Sequence, residues 1–266
     1  MPIPSSDRER HATWLQLALQ HDRTPVIILL LLVTLVSWWW IVVMARDMYG
    51  PMTGASAWMM TPHWDAPHLA LLWAMWAVMM IGMMLPSAAP MILLAGGAAR
   101  QANERAPARQ TYLLALGYIV VWAAFSIGAT ALQWGLARIL VLTPMMEVSS
   151  PTAGAIFLVL AGIYQWTPLK RTCLSTCQSP LAFFMRGWRS GPWGAFRMGI
   201  EHGIHCVGCC WALMLLLFAG GVMNLTVIAA LTAFVAFEKL APFGVQSARV
   251  SGLLLITAAA WMLWSR

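Results

Sequence analysis

The chain has 266 residues, of which 61% are hydrophobic and only 9% charged, whereas a soluble domain carries roughly a quarter of its residues charged. That balance excludes an ordinary soluble fold and intrinsic disorder alike. A net charge of +7 would point to nucleic acid in a soluble protein, but here the basic residues sit in short segments beside apolar runs and act as topology determinants. No nucleic-acid partner is expected.

Residues 1–23 include Asp7, Arg8, Glu9, Arg10, Asp22 and Arg23, too polar for a removable signal peptide and without its cleavage pattern. Residues 1–24 are therefore expected as a cytoplasmic N-terminal segment and 25–266 as a single transmembrane metal-binding domain. Apolar runs predict helices at 25–44, 68–97, 111–136, 152–168, 203–222, 225–243 and 250–264. The fold class is all-α: a polytopic transmembrane bundle of about seven helices in a lipid bilayer. The second run exceeds the ~20 residues that cross a hydrocarbon core, and Pro86 and Pro90 are expected to break it below its Met-rich half. Broken membrane helices line protein-buried sites.

With the N-terminus inside, all of the sixteen Lys and Arg except Arg46, Arg138 and Arg266 fall on the cytoplasmic side. The loop at 45–67 is then outside. It holds Met48, Met52, Met59, Met60 and His63, followed by His68, a set suited to collecting soft ions, and Asp65 beside His63 fits a carboxylate that orients an imidazole. The cysteine region, from about 169 to the mouth of the fifth helix, is cytoplasmic.

The 19 methionines and five cysteines are the chemical anomaly. Met75, Met79 and Met83 follow i, i+4, i+8 on the second helix, with Met80 and Met84 as an adjacent row. Thioethers are soft neutral ligands that favour Cu(I). All five cysteines lie between Cys173 and Cys210, and an odd number in so short a span argues against a disulfide framework. His202, Cys206, Cys209 and Cys210 form one helical stripe at i, i+4, i+7 and i+8, with His205 one residue off it. Gly203 and Gly208 allow close approach by another element. Cys173 and Cys177 in CxxxC spacing place two sulfurs on one face, where Lys170 and Arg171 would favour the thiolate. Glu238-Lys239 reads as an interfacial ion pair, although ionisable residues at membrane depth are functional suspects.

The runs Met79-Met80-Ile81-Gly82-Met83-Met84-Leu85-Pro86-Ser87-Ala88-Ala89-Pro90, Lys170-Arg171-Thr172-Cys173 to Cys177, and Gly208-Cys209-Cys210-Trp211-Ala212-Leu213-Met214 resemble a bacterial family of metal-binding integral membrane proteins catalogued as a domain of unknown function. The resemblance covers about residues 25–245. It implies a multi-spanning bacterial inner-membrane protein in which Cys173, Cys177, Cys206, Cys209 and Cys210 are the metal ligands; His202 and His205 join the candidate set on spacing, as do Met79, Met80, Met83 and Met84.

The expected function is binding and transport or delivery of a soft metal ion, most simply Cu(I) with zinc as the alternative, in exchange with a soluble metallochaperone or a partner membrane protein. Two other readings compete. One is a membrane thiol-disulfide oxidoreductase, which a reducing cytoplasmic face disfavours; the other is a zinc-stapled scaffold or assembly factor. The chain has no Walker loop, HExxH helix, CxxCH haem site or Ser/His/Asp arrangement, so an enzyme is the lesser expectation.

Overall fold

Several helix starts in this chain follow a small polar residue placed beside or close to a proline. The computed structural model describes residues 24–50, 57, 59, 64–139, 141–143 and 146–265; the N-terminal segment, Met52, Met60 and His63 lie outside them. The helices are α1 (Thr24–Met48), α2 (Ala66–Gln101), α3 (Pro107–Arg138), α4 (Pro151–Tyr164), α5 (Pro168–Gln178), α6 (Pro180–Gly187), α7 (Gly191–Met214), α8 (Leu216–Gly220), α9 (Leu225–Leu240) and α10 (Gly244–Trp264). Asp65, Ser150 and Thr167 accept hydrogen bonds from the backbone N–H groups of His68, Ala153 and Lys170 respectively. These are N-caps with proline in the first turn, where its missing N–H costs nothing. Asp65 is thus a helix cap.

Among the described residues, five helical stretches are long and apolar enough to cross a membrane, with α7 and α8 counted as one, and the pair α4 plus α5, bent by 67°, makes a sixth if it is one span. This revises the expected seven. With 16 residues, α9 is short for a crossing. The stretch read as a loop after residue 168 instead forms α5 and α6. The expected fifth helix begins earlier, so α7 and α8 together run from Gly191 to Gly220 and the cysteines sit mid-span, away from its mouth.

The expected break in α2 is absent: the helix continues for 36 residues through Pro86 and Pro90. Pro86 cannot donate to the Gly82 carbonyl four residues back. Trp38 Nε1 of α1 donates to that oxygen instead, at 3.1 Å. A neighbouring helix thus satisfies the freed acceptor, as membrane helices with internal proline require.

The centre of the bundle is α2 and the α7–α8 stretch, whose apolar parts are more than half buried, whereas α1 and α10 are mostly exposed. The outer pair turns Leu35, Val36, Trp39, Leu254 and Trp261 outward, the surface a lipid-facing helix presents. Helix α3 lies against both α2 and α7. Its contact with α7 is backbone on backbone: a Cβ on Gly199 would strike the Leu114 carbonyl, and one on Gly117 would lie 3.0 Å from Ile200 N. Small residues permit such approach. Gly162 of α4 and Gly252 of α10 make a second crossing of this kind.

Candidate metal centre

Helix periodicity puts Met84 and Ser87 of α2 on one inward face, Tyr118 on the α3 surface beside it, and Cys206, Cys209 and Cys210 on the matching face of α7. These side chains are all at most 7% exposed. Sulfur meets sulfur where Cys210 Sγ lies 3.9 Å from Met84 Sδ. Cys206 Sγ is 3.0 Å from Tyr118 Oη, and that hydroxyl also reaches the Met84 carbonyl at 3.2 Å. The Cys209 and Cys210 thiols turn back to the Cys206 carbonyl, at 3.1 and 3.0 Å, satisfying their S–H groups within their own helix.

Helix α5 closes the cluster from the side. Its Cys177 faces Cys209. Cys173 fits over Gly208, where a Cβ would come within 2.6 Å of its Sγ, and Tyr164 of α4 donates to the Gly208 carbonyl. Gly208 therefore makes room for the second cysteine pair, and Gly203 admits Val121 of α3. All five cysteines are free thiols. Among the described residues, no group of three or more His, Cys, Asp or Glu is arranged to hold one ion.

The charged residues are arranged differently from the sequence expectation. Glu238 does not pair with Lys239 at an interface. It takes Lys170 Nζ of α5 at 2.7 Å, both side chains almost wholly buried, so the ammonium expected to polarise the thiols is held by a carboxylate instead. Gln178 ties the same two helices together by donating to the Glu238 and Ala241 carbonyls at 2.8 and 3.2 Å. One residue on, Lys239 turns into the sulfur cluster. Its Nζ lies 2.9 Å from Cys206 Sγ, 3.1 Å from Ser87 Oγ and 3.7 Å from Met84 Sδ. Spacing along the sequence did not single out Lys239, Tyr118 or Ser87 as part of a site; the one usable signal was an ionisable residue at membrane depth.

The histidines stand beside the cluster. His202 is buried, stacks on Tyr118 with centroids 5.7 Å apart, meets Phe183 edge-on, and its Nδ1 makes no hydrogen bond among the described residues. His205 Nδ1 is 2.7 Å from the Glu201 carbonyl. Its ring opens on a cleft of about 440 Å³ between α5, α6 and α7, which Thr176, Phe183, Arg186, Arg189 and Glu201 also line. Of the methionines, Met84 brings its sulfur to the cysteines, while Met75, Met79, Met80 and Met83 are fully buried in the same core. Met48, Met59 and His68, from the expected ion-collecting loop, are buried as well.

A family model described as PpoB2, copper chaperone, matches residues 73–262, a span that holds every member of the cluster. The chain belongs to this family. Membership in the PpoB2 copper chaperones gives the metal-binding resemblance a particular metal, and copper suits the donors present, since thiols and a thioether are soft ligands. Comparison with curated proteins and with solved structures returns no match.

Proposed function

We propose that the chain is a multi-pass membrane copper chaperone that takes Cu(I) as cargo into the buried cluster of Cys206, Cys210 and Met84 and passes it on through Cys209 and Cys177. The observation that carries this reading is the meeting of the Cys210 thiol with the Met84 thioether, 3.9 Å apart and contributed by different helices. Sulfur donors on separate elements can close on one ion. Cu(I) accepts few, soft ligands, and arrival of the ion displaces thiol protons, as metal binding by cysteine requires.

Transfer runs by ligand exchange, so the ion is never free. Cys209 and Cys177 lead from the cluster toward α5, whose Thr176 lines the cleft together with His205. His205 offers an imidazole at the place where a soluble metallochaperone or a partner membrane protein docks. In the other direction the thioethers of Met83, Met80 and Met79 continue a soft column along α2. The bias of Lys and Arg in the sequence supports an orientation in a bacterial inner membrane with the cleft on the cytoplasmic side.

Cu(I) titration of the detergent-purified protein against a competing Cu(I) chelator tests the reading, with X-ray absorption to read the ligands. The expected result is a tight site with Cu–S distances of about 2.3 Å, lost when Cys206, Cys209 and Cys210 are replaced by Ser. Equal copper binding by parent and triple variant would overturn it.

A further inference from the structure

Lys239 is an ammonium placed among sulfur atoms, 6% exposed, and among the described residues no carboxylate lies within ion-pairing distance of it. The one nearby candidate, Glu238, is taken by Lys170. Its neighbours are Cys206, Ser87 and Met84 at 2.9, 3.1 and 3.7 Å, and Cys209, Cys210 and Tyr118 lie within its electrostatic range. A buried charge must be balanced to be tolerated. The groups able to balance Lys239 are the cysteines that would hold the metal.

We propose that Lys239 is a specificity determinant that makes the cluster select monovalent over divalent soft ions by charge. This rests on the copper-site reading above. When an ion arrives, Cys206 and Cys210 each lose the S–H proton to water and bind as thiolates, while Met84 adds a neutral donor. Two thiolates, one ammonium and Cu(I) sum to zero, the state a low-dielectric interior favours. The same shell around a divalent ion keeps an uncompensated positive charge in the core, next to the fixed ammonium. Softness alone does not separate Cu(I) from soft divalent ions, whereas this charge count does. Without Lys239 the count reverses: the monovalent complex becomes anionic and the divalent one neutral.

Ag(I) and Cd(II) are isoelectronic soft ions that differ in charge, and their affinities for the full-length protein in detergent isolate the effect. The parent is expected to prefer Ag(I). Lys239→Met should shift the Ag(I)-to-Cd(II) affinity ratio toward Cd(II) by about tenfold or more, given the strength of charge interactions at such distances. Lys239→Arg should keep the parent ratio. Met84→Leu, which removes a neutral donor, should weaken both ions and leave the ratio near that of the parent. Lys239→Gln makes the same comparison should the methionine variant fail to fold, with helical content checked by circular dichroism. An unchanged ratio in the neutral variants, with both ions still bound, overturns the role of Lys239 and leaves the copper site standing. A parent that binds neither ion overturns the site itself and the selectivity with it.

Discussion

The methionine row of α2 and the cysteine stripe of α7 look alike in sequence: both are runs of sulfur side chains at helical spacing on apolar helices. In the folded chain they differ in what surrounds them. The cysteines are set among polar groups, with Tyr118, Ser87 and Lys239 within hydrogen-bonding range of Cys206 or of its immediate neighbours. The methionines, except Met84, lie in the apolar core. The two rows touch where Met84 meets Cys210. Spacing is the same in the two rows; the polar company of the cysteines is what distinguishes them.

The largest effect expected on breaking this contrast is from replacing Cys206, Cys209 and Cys210 by Ser. Cu(I) binding should be lost in chelator competition, because the hydroxyl is a hard and weakly acidic donor. Next comes a change that moves the cysteine stripe without altering its chemistry. Gly199→Ala drives a methyl group into the Leu114 backbone and should cost about 1–3 kcal/mol, seen as a lower thermal unfolding midpoint together with weaker copper binding. Met84→Leu conserves volume and removes one soft donor; affinity should fall about tenfold, equivalent to about 1.4 kcal/mol. The smallest equilibrium effect belongs to Met79, Met80 and Met83 changed together to Leu. Affinity should stay within about twofold, since Leu and Met exchange readily in cores, while copper movement into chelator-loaded vesicles should slow. Movement at the parent rate would assign those three methionines to packing alone.

Much of this was legible before any coordinates. The apolar runs locate most helices to within a few residues, and the clustering of all five cysteines between 173 and 210 anticipates the packing of α5 on α7. What escaped depends on partners distant in sequence. Whether proline ends a helix is one case: Thr167 before Pro168 offers a cap and a new helix starts, while Pro86 follows Leu85, which cannot cap, and Trp38, 44 residues from Gly82, supplies the missing donor. The Thr-Pro pair could have been read locally, but Trp38 could not. The pairing of Glu238 is another, for its adjacent lysine was the obvious partner and a lysine 68 residues away holds it instead. Consecutive residues on a helix point about 100° apart, so Glu238 and Lys239 face different neighbours, and periodicity alone does not say which.

The Lys170–Glu238 ion pair has a consequence for how the protein is made. Each of these charges carries a penalty of several kcal/mol if it enters hydrocarbon alone. Helix α9 is too short to be a comfortable independent span and carries Glu238 and Lys239 at its end; α5 brings Lys170 and is not apolar enough to insert by itself. Their pairing offsets that penalty, so the two segments are expected to enter the bundle together. The docking that shelters the two charges also brings Cys177 of α5 and Lys239 of α9 to the sulfur cluster, so a chain in which these two helices fail to dock would leave that cluster incomplete.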